Sequence, residues 1–296
     1  MNTPKTAIIG AGKIAYTVAA ALFKKGAAPS LVISKNIYSA ESLAYTFSVS
    51  SYSDDIKSLT EDFTNIIIAT PDNEIIKVAR SVSKLQLPFN RQLYLHLSGA
   101  FGLEQLDPLR KAGAHTASLH IMQSFPNKIP QNIKGMLAAI EHSSPAALRR
   151  IKSLCVMLEV EPYSLKPGMK NYYHTAGVFA SNFLIGNLHT SMAIAKEAGI
   201  NEELYKKIFI KITEATLSNA KSAGIDEALS GPIERNDIVT VKRHIQALKR
   251  RNTGQQEYAV MSYLIQSLLL TEAAEAKNPT VDYNLLKSML KNELSI

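Results

Sequence analysis

Residues 6–15 read Thr-Ala-Ile-Ile-Gly-Ala-Gly-Lys-Ile-Ala. A β-branched run stops at Gly10, and Gly10, Gly12 and Ala15 form a G-x-G-x-x-A pattern that opens a helical stretch. The first glycine permits a tight turn, the second lets the backbone approach a diphosphate, and the small third residue lets helix and strand pack closely. A diphosphate would rest on the N–H groups around Ala11, Gly12, Lys13 and Ile14, where the helix dipole favours negative charge. The pattern implies a dinucleotide site; the alternative is a glycine turn that serves packing alone.

The second strand ends at Ser34-Lys35-Asn36, and no acidic residue follows until Glu41. A site for NAD(H) usually carries Asp or Glu here to accept from the ribose 2′-hydroxyl. A hydroxyl, an ammonium and an amide instead suit a 2′-phosphate, so NADP(H) is favoured over NAD(H). The competing reading makes Lys35 an ordinary solvated loop lysine. Ala69, Thr70 and Pro71 lie at another strand's carboxyl edge and would flank the ribose, with Asp72 expected to cap a helix from Asn73. Ser98 and Gly99 share that edge, where Ser98 could reach a nicotinamide or a substrate.

Groups that could handle protons or orient a substrate follow. His120, Gln123 and Ser124 are expected just past a strand, where a histidine could exchange a proton near neutral pH or simply be satisfied by backbone. His174, Ser181 and Asn182 fall on one face of a long helix, either pairing across a contact or facing a substrate. Arg235, in Gly-Pro-Ile-Glu-Arg-Asn-Asp at 231–237, could meet a carboxylate or phosphate, or serve the turn with Asp237. We expect no metal site, since Cys155 is the single cysteine and falls in an apolar helical pattern.

These groups need a scaffold. Strand patterns at 6–9, 31–34, 65–69, 92–97 and 115–119 alternate with helical ones at 12–25, 38–46, 73–84 and 103–112. That alternation predicts an α/β fold, a doubly wound parallel sheet with helices on both faces. A strand at 136–141, a helix at 145–158 started by Ser144 and Pro145, and a strand at 161–164 extend it. Beyond Pro167 only helical patterns remain: 168–197, 202–222, 237–249, 254–276 and 283–293. Gly199 and Gly224 suit C-terminal caps, Asn201 and Asp237 suit N-caps, and Thr253 with Gln256 matches a capping box. The expected division is 1–165 for the nucleotide-binding part and 166–296 for an all-helical part.

The 296 residues are 46% apolar and 20% charged, which excludes disorder as the main state. The net charge of +8 favours an anionic partner without naming one. Lys249-Arg250-Arg251 ends a helix and lacks interleaved aromatics, so nucleic-acid binding is not expected. With no apolar stretch near 20 residues and no signal-like N-terminus, the expectation is a cytoplasmic protein without membrane contact. The apolar faces around Tyr258, Tyr263, Leu264, Leu268 and Leu269 suit a core or a dimer interface.

Four stretches, 8–15, 95–100 with 118–125, 173–184, and 230–237 with 240–248, together resemble the Rossmann-like oxidoreductases with a C-terminal domain of unknown function. Their relatives include deazaflavin-dependent NADP oxidoreductase and pyrroline-5-carboxylate, ketopantoate and β-hydroxyacid reductases. The resemblance implies a helical C-terminal domain like that of 6-phosphogluconate dehydrogenase, a homodimer formed through it, and a small-molecule site between the domains. Ile121 stands where the family usually has proline, and Asn236 where it usually has glycine. The lysine–asparagine pair of the β-hydroxyacid relatives is not matched, since the comparable helix offers His174, Val178 and Asn182. The implied function is hydride exchange with a small carbonyl or imine. His174 or His120 would supply the proton, Asn182 and Ser98 would orient the substrate, and Arg235 would hold a carboxylate. A dinucleotide-binding sensor or assembly protein without hydride chemistry is the alternative.

Overall fold

The computed structural model describes residues 5–166, 168–250 and 256–294, and the chain forms two compact units, Met1–Leu184 and Ile185–Ile296. Composition changes near residue 165, but the contacts change at 184, because the helix after the last strand packs on the first unit's sheet.

In that unit the strands are β1 Lys5–Ile9, β2 Leu31–Ile33, β3 Ser51–Ser53, β4 Phe63–Ile68, β5 Leu93–His96, β6 His115–Ile121, β7 Leu137–His142 and β8 Glu161–Ser164. They form one sheet in the order β3-β2-β1-β4-β5-β6-β7-β8. Its helices are α1 Lys13–Lys24, α2 Ile37–Thr46, α3 Asp72–Val82, α4 Asp107–Lys111, α5 Pro145–Leu158 and α6 Lys170–Gly177. Strand alternation sends Ile8, Val32, Ile67 and Leu95 to one face, beneath α1, α2 and α5. Ala7, Ile9, Ile33, Ile68 and Tyr94 go to the other, beneath α3 and α4. Cys155 lies in the first of these cores, where burial pushes its thiol up to about 12.

Three details depart from the sequence-based expectation. The sheet is parallel through β6, but β7 runs antiparallel to it. The 122–136 connection carries no helix to return the chain for parallel pairing, whereas α5 does so between β7 and β8. β3, unexpected, consists of three polar residues at the sheet edge, with no apolar alternation to reveal it. The 103–112 helix splits into a 3₁₀ turn, Leu103–Leu106, and α4, whose first turn contains Pro108.

The second unit continues α7, Phe183–Glu197, and contains α8 Glu202–Tyr205, α9 Lys211–Ala223, α10 Ile238–Lys249, α11 Gln256–Lys277 and α12 Asn284–Leu294. Wider π turns at Val178–Asn182 and Lys206–Ile210 interrupt what periodicity reads as single helices. The caps at Ser144, Asn201 and Asp237 each accept the expected backbone N–H. Gly199 takes positive φ, while Gly224 has positive φ but an extended ψ of 162° rather than a left-handed helical cap. Ile233, Val241, Ile245, Leu264, Tyr283 and Leu286 form the core. Leu264 is buried there, whereas Tyr258 and Leu269 are exposed. Pro167, Arg251 and Thr253 lie outside the described residues.

Candidate active site

Gly10 leaves β1 with φ at +110°, and a Cβ there would stand 2.6 Å from the Ala69 carbonyl oxygen. Only glycine allows the β1 turn to approach the β4–α3 connection this closely. Gly12 is the N-cap of α1 and makes no side-chain cap, so the first N–H groups of the helix remain available to an anion. Ala15 is fully buried against the sheet.

A cleft of about 570 Å³ opens here, lined among others by Gly10, Ala11, Gly12, Ser34, Lys35, Ala69, Thr70 and Pro71. It sits where the strand order reverses between β1 and β4, the usual ligand edge of such sheets. Thr70 Oγ1 is buried without a hydrogen-bond partner, and such a group calls for a ligand or water. The sequence-predicted cofactor residues 10–12, 34–35 and 69–71 are thus brought together, with Asn36 alongside as the cap of α2.

The cleft also holds carboxylates that the local sequence of β2 does not reveal. Glu74 on α3 lines it with Asp54 and Asp55. Lys35 and Lys77 both pair with Glu74 and hold its carboxyl down at about 2. The expectation that no carboxylate lies near Lys35 is therefore corrected: Glu74 arrives from another element. Asp72 is corrected too. Pro71 takes the N-cap position, and Asp72 is the first helical residue of α3, without a capping bond.

A second group lies at the ends of β5 and β6. His120 is inside β6, paired with Ala139 of β7, rather than past the strand. Its ring meets His174 of α6 with centroids 5.8 Å apart, and its Nδ1 lies 3.3 Å from the Tyr173 hydroxyl. A Cβ on Gly99 would stand 2.6 Å from both His120 Nε2 and His174 Nδ1, so the two ring nitrogens converge over that glycine. His174 Nδ1 is buried and has no hydrogen-bond partner. Burial, helped by the Lys170 ammonium and by His174, pushes His120 down to about 4. It is neutral near pH 7, not poised there as its residue type alone suggests.

The loop carrying Gly99 is pinned from beneath. Ser98 N–H donates to His96 Nδ1 at 3.2 Å, which puts the ring proton on Nε2, donated to the Gly102 carbonyl at 3.0 Å. Burial pushes His96 down to about 3. Ser98 Oγ accepts from the Ala100 and Phe101 N–H groups, leaving its O–H as the part that can still meet a ligand. Lys170, 4% exposed, donates to Ser118 Oγ at 2.7 Å and pairs with Glu141 at 3.5 Å. Burial brings its ammonium down to about 8, with Glu141 opposing.

Lys170 and Glu74 are among the residues that sequence reasoning missed. One signal was available for Lys170: a lysine in the first turn of a helix opposes the dipole, which implies a specific partner. Ser181 and Asn182, in the π turn, are exposed rather than buried. Arg235 belongs to the second unit and is exposed, in a turn where Asn236 adopts φ +53° and donates to the Asp282 carbonyl. Among the described residues no group of three potential metal ligands occurs, and no helix is long and apolar enough to cross a membrane.

Comparison with known proteins finds two family matches, the second of which begins within the first unit and extends into the second. Residues 3–121 match a Rossmann-like domain and residues 136–265 a domain of unknown function, DUF2520. No relative of the sequence is found among curated proteins. The fold is shared with an imine reductase from Myxococcus stipitatus, solved in complex with NADP+, at 18% identity and TM-score 0.67, over 98% of this chain and 100% of that one. A reductive aminase from Aspergillus terreus, solved with NADPH and ethyl levulinate, matches at 15% identity and TM-score 0.67, over 99% and 100%. Protein TM1727 from Thermotoga maritima matches at 20% identity and TM-score 0.70, over 92% and 99%.

Proposed function

Because the chain joins a Rossmann-like domain to a DUF2520 domain, we propose that it is an NADP(H)-dependent oxidoreductase acting on the C=N or C=O bond of a small molecule. The observation that carries this reading is the convergence of His120 Nε2 and His174 Nδ1 over Gly99, at the sheet edge that also bears the glycine loop. The imine reductase and reductive aminase, which share the fold and were solved with NADP+ and NADPH, favour C=N as the substrate bond.

The residues fit the dinucleotide. The uncapped N-terminus of α1 and the backbone of 10–14 hold the diphosphate. Thr70 Oγ1, buried and unpartnered, and the backbone of 69–71 meet the ribose. Ser34, Lys35 and the amide of Asn36 receive a 2′-phosphate, with Lys35 exchanging Glu74 for it. Hydride chemistry comes from the bound dinucleotide.

His174 supplies or takes the proton at Nδ1, which no protein group occupies. His120, neutral at physiological pH, shapes the other side of the same spot. Ser98 O–H and Asn182 orient the substrate. We place the enzyme in the cytoplasm as a homodimer. Exposed Ile185, Ile212, Leu217 and Leu269 on the helical unit are candidate contacts for the second copy.

The test is calorimetric titration with NADPH and with NADH, followed by NADPH oxidation across a panel of cyclic imines, ketones and ketone–amine mixtures. Tighter binding of NADPH together with turnover of at least one compound is the expected result. Tight binding with no turnover anywhere on the panel favours a non-catalytic sensor. Binding of neither dinucleotide overturns the reading.

A further inference from the structure

Ser118 and His120 are two residues apart on β6 and share one face of the sheet, while Lys170 and His174 are four apart on α6 and share one face of the helix. The two spacings nearly match, roughly 6.7 Å along a strand and about 6 Å along a helix. The strand and helix therefore meet in two rungs. In one, Lys170 Nζ donates to Ser118 Oγ at 2.7 Å, and Ser118 donates to Glu141 Oε2 at 3.0 Å. In the other, the rings of His120 and His174 meet edge to face, with Tyr173 of the same helix reaching His120 Nδ1.

We infer that Lys170 is the positioning residue of this site: held by Ser118 and Glu141, it sets the rotation of α6 that brings His174 over Gly99, and it places a fixed positive charge beneath the histidine pair. The inference rests on the reading of His120 and His174 as the proton-handling pair, but not on the identity of the cofactor.

A purely architectural role accounts poorly for a lysine here. An apolar side chain of similar volume would fill the space without removing an ammonium from water, and positive charge in a first helical turn opposes the dipole. Nor is Lys170 arranged to touch a substrate, since its Nζ is taken up by Ser118 and Glu141 and the residue is buried. The charged and titratable groups around it are Glu141 on β7, Glu104 before α4, Asp72 on α3, His96 on β5, His120 on β6, and Tyr173 and His174 on α6 itself. Of these, only His120 and His174 converge over Gly99. The nearby ammonium disfavours a proton on His120, so that ring starts uncharged, and a proton brought in with the ligand goes where the ligand stabilises it.

The test is ¹⁵N NMR titration of the imidazoles in the full-length protein, which requires neither cofactor nor substrate. His120 and His174 are assigned by single substitution, and wild type is compared with Lys170→Met and Ser118→Ala. In Lys170→Met the His120 midpoint is expected to rise by at least about one pH unit, a tenfold easier protonation. In Ser118→Ala, which keeps the ammonium, the midpoint stays low while the His174 ring resonances move because the rung is lost. A His120 midpoint unchanged in Lys170→Met overturns the inference. Should that variant fail to fold, unmoved His174 resonances in Ser118→Ala overturn it instead. Loss of NADPH binding by wild type would sink the proposed function and leave this titration untouched.

Discussion

His120 of β6 and His174 of α6 stand edge to face, ring centroids 5.8 Å apart and planes at 77°, with one nitrogen of each directed at the backbone of Gly99. The two imidazoles differ. His120 has Tyr173 at its far nitrogen and is held neutral, while His174 keeps a buried nitrogen with no protein partner. That asymmetry supports giving the proton to His174.

Gly99→Ala tests the convergence itself. A methyl group at 2.6 Å from both ring nitrogens forces at least one imidazole aside. We expect NADPH affinity to stay within about twofold, turnover to fall by about 100-fold, and stability to drop by about 1–3 kcal/mol from overpacking. Calorimetry, steady-state rates and thermal melts read the three effects separately; unchanged turnover would mean that the rings do not define the reaction site.

His174→Ala removes the proposed proton donor. Turnover is expected to fall by about 10²–10⁴-fold, the usual contribution of a positioned acid or base, with NADPH binding intact. His120→Asn should cost much less. Equal losses in the two variants would assign the proton to the pair rather than to His174.

Glu74→Gln leaves Lys35 and Lys77 without the carboxylate that now holds both. NADPH should bind about threefold or more tightly and with steeper salt dependence, because both ammonium groups become available to the 2′-phosphate. NADH affinity should be unchanged. A selective loss of NADH binding would instead mean that Glu74 accepts from the ribose 2′-hydroxyl, and NAD(H) would become the preferred cofactor.

Acid should destabilise the protein earlier than its carboxylates require. His96 and His120 are pushed down to about 3 and about 4, chiefly by burial, while an unfolded histidine titrates near 6.5. Below pH 6.5 the unfolded chain therefore binds protons that the native state refuses. Stability is complete above that pH and falls by about 1.4 kcal/mol per pH unit for each histidine until the native values are reached. Urea unfolding at several pH values between 6.5 and 5 measures the slope. His96→Gln should reduce it by the share of one histidine, and an unaltered slope would show that His96 is not its source.

What the sequence by itself determined is everything written in neighbouring residues. The glycine loop, most helix limits and the caps at Ser144, Asn201 and Asp237 depend on spacings of a few residues, and each was legible before any tertiary structure. Asn236, standing where the resembled family usually has glycine, adopts φ +53°, a left-handed conformation that asparagine tolerates. Tertiary structure decided which distant groups share a site. Lys35 meets a carboxylate on α3, and Lys170 meets Ser118 on β6 and Glu141 on β7. Those meetings follow from strand order, register and the antiparallel return of β7, which no local pattern encodes. Burial was decided there as well. It carried His120 away from neutral pH, because an imidazole's proton affinity depends on the water and charge around it as much as on its residue type.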